Sequence, residues 1–131
     1  MLVLCYPNCS TCKKAEKWLE RQGMTFESRD IKKNNPTQEE LGLWYQKSGL
    51  PLKRFWNTSG QGYKALNLKE KLPTLSEQEQ LALLASDGML VKRPILIHKD
   101  GVLVGFKEAE WEGLLVRKNY VSNSFKKGQY K

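Results

Sequence analysis

The 131-residue sequence has no long apolar run and few cysteines, only three, with a single histidine. A bilayer span needs roughly 20 predominantly apolar residues, so we expect no contact with a membrane. A small, odd number of cysteines argues against a secreted disulfide scaffold and indicates a compartment in which thiols are reduced. The opening segment lacks the charged region of a signal peptide, and we therefore expect a cytoplasmic location.

The shortage of soft ligands also limits metal chemistry. A structural zinc site takes about four thiolate or imidazole ligands. Beyond Cys9 and Cys12, the sequence offers only Cys5 in a predicted strand and His98 in a predicted hairpin. We therefore expect neither a metal site nor a cofactor.

What the sequence has in excess is positive charge, with a formal net charge of +8. The length is typical of one domain, which we place at residues 1–116, and the positive charge is spread over the chain with a modest excess in a basic tail at 117–131. Such a tail could attract anionic partners, although a solvated chain end is the simpler interpretation. We expect no direct binding of nucleic acid.

The first 31 residues predict a β-α-β unit. Residues 2–6 form a short apolar run that is typical of a buried strand. From Cys9 to about Gln22, apolar residues recur every three or four positions and predict a helix that Gly23 ends. The predicted buried stripe of this helix is Cys12, Ala15, Trp18 and Leu19. Residues 24–31 read as a second strand, parallel to the first.

A helical insertion is predicted over about residues 37–88. Its first helix begins at Thr37, with Glu40 placed to complete a capping box, and its last helix repeats this pattern. Glycines and turn formers between residues 50 and 72 favour short helical pieces joined by loops. Gly88 is expected to stop the last helix.

The remaining pattern predicts a β-hairpin and a closing helix. Residues 93–106 contain two apolar runs around an Asp100-Gly101 turn. Residues 107–115 predict the helix, and its candidate buried positions are Ala109, Leu114 and Leu115. The whole order predicts an α/β fold, a four-stranded mixed sheet with helices on its faces.

The chemistry of the sequence centres on Cys9 and Cys12, at the start of the first predicted helix. Two cysteines three positions apart face the same way and can close a disulfide. Unpaired N–H groups and the positive end of the helix dipole stabilise a thiolate, and Lys13 and Lys14 add positive charge. We predict that Cys9 has the lower pKa and is the thiol that attacks an oxidised substrate, and that Cys12 is the thiol that resolves the resulting adduct. The alternative is that Cys9 and Cys12 are buried thiols without chemical function. We expect Cys5, in the middle of a predicted strand, to be inert in this way.

Arg93 and Pro94 form the second notable feature, because the proline opens a predicted strand directly after a basic residue. A cis peptide bond at this place could turn the backbone toward a neighbouring loop, whereas a trans bond is the commoner form. Arg93 is either a surface cation or an anion clamp and thiolate partner. The residues alone leave both questions open.

Taken together, "YPNCSTCKKA", "FWNTSG" and "KRPIL" followed by "VGF" resemble the ArsC/Spx family, bacterial thioredoxin-like proteins related to glutaredoxin-type arsenate reductases. The resemblance spans residues 2 to about 115. It implies a thioredoxin-like, glutaredoxin-type core with an inserted helical subdomain. It also implies that Cys9 is the active-site thiol, that Arg93 lies beside it and that the bond to Pro94 is cis.

Two departures from the family pattern bear on function. Glutaredoxin-coupled arsenate reductases have one cysteine in the loop and further arginines for the oxyanion. Here Cys12 is also present, Asn57 stands roughly where one such arginine is expected, and Phe106 and Lys107 stand near the place of another. These differences argue against arsenate reduction.

Three hypotheses follow. The first is a thiol-disulfide oxidoreductase that thioredoxin, glutaredoxin or a low-molecular-weight thiol restores to the dithiol. The second, from the Spx resemblance, is a redox-sensing regulator that binds the C-terminal domain of the RNA polymerase α subunit. The third is an oxyanion reductase with an anion cradle made by Arg93 and the N–H groups of the cysteine loop. The candidate binding residues are Asn8, Ser10, Thr11, Lys13 and Pro94.

Overall fold

The computed structural model describes residues 1–117, without the side chain of residue 117. Apart from the backbone of that residue, the predicted basic tail at 117–131 lies outside the described residues. Over the described range, none of the helices has the length and apolar character needed to span a membrane.

Four short strands form one sheet in the order β2-β1-β3-β4. The strands are β1 (Leu2–Cys5), β2 (Glu27–Asp30), β3 (Ile95–His98) and β4 (Gly101–Val104). β1 runs parallel to β2, while the β1-β3 and β3-β4 pairs are antiparallel. The predicted four-stranded mixed sheet is therefore confirmed.

The first helix, α1 (Ser10–Arg21), joins the two parallel strands. Its buried residues are the four predicted ones, Cys12, Ala15, Trp18 and Leu19. Cys9 is the N-cap, with an extended backbone, so the helix begins directly after the first cysteine. Gly23 has a φ of +73°, a left-handed conformation that glycine adopts without steric cost and that ends the helix as predicted.

Helices and turns make up the chain between β2 and β3. The helices are α2 (Gln38–Ser48), α3 (Gln61–Ala65), α4 (Leu68–Lys71) and α5 (Glu77–Ser86), with 3-10 turns at Leu52–Phe55, Leu72–Thr74 and Gly88–Leu90. Both capping boxes are present: Thr37 with Glu40 begins α2, and Ser76 with Glu79 begins α5. The pieces between residues 50 and 72 are short, as predicted.

Gly88 has a different role from the one predicted. The helix α5 ends at Ser86, Asp87 is its C-cap, and the φ of Gly88 is not among the positive ones. A Cβ at Gly88 would lie 1.8 Å from the carbonyl oxygen of Ile31. Glycine is therefore required by the close approach of two backbone segments.

The hairpin and the closing helix also differ in detail from the prediction. His98 pairs with Gly101, so the turn is at Lys99 and Asp100, one residue earlier than expected. The closing helix is α6 (Glu108–Glu112), followed by a π-helical turn at Gly113–Arg117.

The buried side of the closing helix was predicted only in part. Ala109 is exposed, Leu114 is half-buried and Leu115 is buried. The main buried residue is Trp111, which was not predicted, and its Nε1–H donates to the carbonyl oxygen of Gly105 over 3.0 Å. Because Trp111 and Leu115 are four positions apart, they form one inward stripe that leaves Ala109 on the solvent side.

Two apolar clusters cover the two faces of the sheet. Val3 and Cys5 belong to the cluster that contains the buried residues of α1 and Trp111 of α6. Leu4, between them, belongs to the cluster formed with the helices of the inserted segment. The alternation of side chains along β1 therefore places Cys5 on the same side of the sheet as Cys12.

Candidate active site at the cysteine loop

The N-cap and the first turn of α1 hold the two predicted redox cysteines, Cys9 and Cys12, in different environments. The backbone N–H of Cys9 donates to the carbonyl oxygen of Tyr6 over 2.9 Å, which closes a tight turn before the helix. The Cys9 side chain is half-buried, while Cys12, one turn into α1, is only 2% exposed. A molecule arriving from solvent can therefore reach the sulfur of Cys9 more readily than that of Cys12.

Several donors converge on the sulfur of Cys12. The Cys5 thiol hydrogen-bonds to it, the backbone N–H of Tyr6 donates to it over 3.4 Å, and the Cys9 thiol also contacts it. These hydrogen bonds, led by that of Cys5 and aided by the charge of Arg93, outweigh the opposing effect of burial and lower the pKa of Cys12 to about 7. The lower pKa that the sequence predicts for Cys9 stays a prediction, and in the structure the donors that lower a thiol pKa converge on Cys12.

Arg93 lies close to the thiols, although 80 or more residues separate them along the chain. The Arg93-Pro94 peptide bond is cis, as the family resemblance implied. The Arg93 guanidinium carbon lies 5.3 Å from the centroid of the Tyr6 ring, and its charge favours the Cys12 thiolate. Its Nε and Nη1 atoms are buried and have no hydrogen-bond partner among the described residues.

A basic cavity of about 300 Å³ opens beside Arg93. Thr11, a predicted binding residue in the first turn of α1, lines it, and so does Lys107, which stands near the place of an arginine expected in arsenate reductases. Arg54 and Lys92 line it too, and sequence reasoning missed both. Lys92 could have been suggested by its position next to Arg93, but nothing local marks Arg54. This cavity concentrates positive charge and suits an anionic group.

Asn57 does not line this basic cavity. Its side-chain amide donates to the carbonyl oxygen of Met89 over 3.4 Å, and its backbone N–H donates to that of Leu90. The position compared with an arginine of the arsenate reductases therefore has a structural role here. Phe106, which stands near the place of a second such arginine, lines the basic cavity beside Lys107.

A second cavity, of about 220 Å³, is lined by Cys12 itself. Its lining residues are Cys5, Tyr6, Pro7, Cys12, Lys13, Glu16, Ser28 and Asp30. Of the predicted binding residues, Lys13 lines this cavity, and Asn8 lines a neighbouring one with Lys32 and Lys33. Ser10 is exposed at the start of α1, and Pro94 is buried. The predicted binding residues are thus distributed around the cysteine loop.

Metal ligands are not assembled in the part of the chain that the structure describes. Residues 1–117 contain no group of three or more histidine, cysteine or acidic side chains placed to hold a metal ion.

The sequence matches the model of the ArsC family over residues 4–114, which is most of the chain. The chain belongs to the ArsC family. A curated ArsC relative is the uncharacterized protein YusI of Bacillus subtilis (strain 168), which is 56% identical over 107 residues and matches 82% of this chain and 91% of YusI. Regulatory protein MgsR of the same strain is 30% identical over 105 residues, with 80% of this chain and 82% of MgsR covered.

A solved structure leads to the same conclusion about the ArsC fold. The crystal structure of an ArsC family related protein from Bacteroides fragilis is similar with a TM-score of 0.84 and 56% identity, covering 86% of this chain and 95% of that one. The thioredoxin-like fold, with a four-stranded mixed sheet and flanking helices, is therefore confirmed for this ArsC protein.

Proposed function

We propose that this ArsC-family protein is a thiol-disulfide oxidoreductase, with Cys9 as the attacking thiol and Cys12 as the resolving thiol. The observation that carries the proposal is the contrast between them: a half-buried N-cap cysteine in contact with a buried cysteine whose thiolate is stabilised. The first can meet a substrate, and the second is charged near neutral pH and can complete the reaction.

The reaction begins with the Cys9 thiolate attacking one sulfur of an oxidised substrate. A mixed disulfide forms between Cys9 and that sulfur, and the other sulfur leaves as a thiolate. The Cys12 thiolate then attacks the Cys9 sulfur, which releases the reduced substrate and leaves the Cys9-Cys12 disulfide. Thioredoxin, glutaredoxin or a low-molecular-weight thiol restores the dithiol. These reductants keep thiols reduced in the cytoplasm, where we expect the protein to act.

Trapping the mixed disulfide tests this assignment. Oxidised glutathione is added to the Cys12→Ser variant, in which the resolving sulfur is absent, and intact mass is measured. We expect one glutathione to accumulate on Cys9. The matched Cys9→Ser variant retains only buried thiols and should not accumulate the adduct. An adduct that forms equally in Cys9→Ser, or none in Cys12→Ser, would contradict the assignment.

A second candidate is a redox-sensing regulator, favoured by the 30% identity to regulatory protein MgsR. In this function the Cys9-Cys12 disulfide switches a surface that binds the C-terminal domain of the RNA polymerase α subunit. The test is a pull-down with that domain, using reduced and oxidised protein. Binding in one redox state would support the regulator, and no binding in either state would remove it.

The basic cavity keeps oxyanion reduction as a third candidate. The buried Nε and Nη1 atoms of Arg93, which have no hydrogen-bond partner within the described part of the chain, lie beside the cysteine loop. Arg54, Lys92 and Lys107 add positive charge. Glutaredoxin-coupled arsenate turnover that is lost in Cys9→Ser and in Arg93→Gln would support this function. Absence of turnover in the unmodified protein would exclude it.

A further inference from the structure

Cys5 is a third thiol in contact with the redox pair. It ends β1, its side chain is 5% exposed, and it packs in the same cluster as Cys12. The Cys5 and Cys12 side chains line the same cavity and are close enough for each to shift the pKa of the other. Cys12 therefore interacts with two thiols, that of the half-buried Cys9 and that of the buried Cys5.

A carboxylate is positioned beside Cys5. Glu16, one turn after Cys12 on α1, is close enough to Cys5 to raise the pKa of that thiol, and it accepts a hydrogen bond from the Ser28 hydroxyl over 2.6 Å. All four side chains line the cavity of about 220 Å³. Glu16 can therefore accept the Cys5 proton, and Ser28 holds the carboxylate in place.

We propose that Cys5 is a third redox-active thiol that exchanges the Cys9-Cys12 disulfide for a buried Cys5-Cys12 disulfide and frees Cys9. This inference rests on the proposed oxidoreductase function, which supplies the first disulfide. It assigns chemistry to a cysteine that the sequence pattern predicted to be inert.

The exchange needs no further oxidant. The Cys5 sulfur attacks the Cys12 sulfur while its proton passes to the Glu16 carboxylate. The Cys5-Cys12 bond forms, the Cys9-Cys12 bond breaks, and Cys9 leaves with the electron pair as a thiolate. One disulfide is present before and after the step, so the number of electrons in the protein is unchanged.

The environment of Cys5 suits the exchange with the Cys9-Cys12 disulfide and not the initial attack on substrate. The hydrogen bond with Cys12, burial and the nearby charges of Cys12 and Glu16 all raise the pKa of Cys5, so its thiol stays protonated and does not compete with Cys9 for substrate. Once Cys12 is in a disulfide, its negative charge is gone and Glu16 can take the proton. The exchange stores the oxidised pair away from solvent and returns a reactive Cys9 to the loop.

The Cys9→Ser variant tests the Cys5-Cys12 bond directly, because only these two cysteines remain. Hydrogen peroxide is small enough for the cavity and converts the Cys12 thiolate to a sulfenic acid, with release of water. The Cys5 thiol then displaces a second water and closes the disulfide. We expect a monomer that is lighter by two hydrogens, has no thiol open to alkylation and regains two thiols on reduction.

The matched control is Cys5→Ala, which keeps the pair of the proposed function. If Cys5→Ala forms its disulfide with peroxide and Cys9→Ser keeps two free thiols, the exchange is overturned while the proposed function stands. If neither the unmodified protein nor folded Cys5→Ala forms a disulfide, the proposed function fails, and the exchange fails with it. Circular dichroism of both variants establishes that they are folded.

The unmodified protein provides a test without any variant. All three cysteines lie in the single tryptic peptide 1–13, so fragmentation locates a label within it. After brief oxidation with oxidised glutathione, samples are quenched and the free thiol is blocked with N-ethylmaleimide. We expect the label on Cys5 at early times and on Cys9 later. A label that stays on Cys5 overturns the proposal.

The contribution of Glu16 is measured as the rate at which the free thiol, read from the labelled residue in successive samples, changes from Cys5 to Cys9. Glu16→Gln should slow this change by about tenfold or more, with an unchanged rate of Cys9-Cys12 formation. Glu20→Gln, on an exposed position of the same helix, is the control and should leave both rates unchanged. Equal rates in Glu16→Gln and Glu20→Gln would remove Glu16 from the mechanism.

Discussion

The backbone N–H of Tyr6 points at the sulfur of Cys12, with 3.4 Å between nitrogen and sulfur. The contact joins the end of β1 to the first turn of α1, and it directs a backbone dipole at the buried thiol. Because a thiolate accepts this hydrogen bond better than a thiol does, the contact lowers the pKa of Cys12. The site thus stabilises charge at the resolving position.

The causes of the lowered Cys12 pKa predict an order of effects. Cys5→Ala removes the largest cause, the interaction with the Cys5 thiol, and should raise the pKa of Cys12 from about 7 toward the ordinary thiol value of 9.0. Arg93→Gln removes a smaller cause, the positive charge of Arg93, and should raise the pKa of Cys12 by less. Arg93→Lys keeps that charge and should have the smallest effect on the pKa. The measurement is ultraviolet absorbance of the thiolate against pH in a Cys9→Ser background. A larger shift in Arg93→Gln than in Cys5→Ala would contradict this order.

Gly88→Ala should destabilise the protein, because the added Cβ would meet the Ile31 carbonyl oxygen at 1.8 Å. Backbone displacement on this scale costs about 1–3 kcal/mol or more of unfolding free energy. The control is Gly42→Ala in α2, whose Cβ would have only Leu81 nearby, at 3.8 Å. Alanine at that helical position should be neutral or stabilising by up to about 1 kcal/mol. Urea unfolding compares the two, and equal effects would contradict the close-approach argument.

The Arg29-Glu40 pair predicts a pH-dependent part of the stability. The Arg29 guanidinium hydrogen-bonds both carboxylate oxygens of Glu40, over 2.8 and 2.9 Å, and lowers the pKa of Glu40 to about 2 from an ordinary 4.5. Because the folded-state pKa is the lower one, the contribution is fully present above pH 4.5 and is lost as the pH falls toward 2.

Glu40→Gln measures this contribution. The Glu40 side chain is 35% exposed, so solvent screening limits the loss at neutral pH to about 1 kcal/mol. The loss relative to the unmodified protein should shrink between pH 4.5 and 2. Glu39→Gln, one residue earlier in the same helical turn and exposed, is the control and should have little effect. A Glu40→Gln difference that is constant with pH would be evidence against the pair.

Trp111 should be the most costly position of α6 to truncate. Trp111→Ala leaves a large cavity in a fully buried position and should cost about 3–5 kcal/mol of unfolding free energy. Trp111→Phe keeps most of the ring contacts but leaves the Gly105 carbonyl without its 3.0 Å hydrogen bond, so it should cost less, about 1–3 kcal/mol. Ala109→Ser, exposed on the same helix, should change stability by less than about 0.5 kcal/mol. Guanidinium unfolding checks the order, which a costly Ala109→Ser would overturn.

The helices were the part of the fold most open to prediction. A capping box such as Thr37 with Glu40 depends on residues three positions apart, and the buried stripe of α1 depends on spacings of three and four. Such patterns are complete within one or two turns of chain. The closing helix was predicted less well because it is short, and Trp111 contacts Trp18 and Phe106, which lie outside it.

For the candidate site, the order of residues along the chain pointed to Cys9, Cys12, Arg93 and Pro94, whose roles stay predictions. Two cysteines at a strand-to-helix turn and an Arg-Pro pair are visible without coordinates. The same order also determined the β-α-β start and the mixed sheet, because both follow from local periodicity. Only the tertiary structure decided that Cys5 and Glu16 flank Cys12 and that Arg54 lines the basic cavity. The reason is physical: the pKa of a thiol depends on the charges and donors within a few ångströms, and here the packing of strand, helix and inserted segment determines which groups those are.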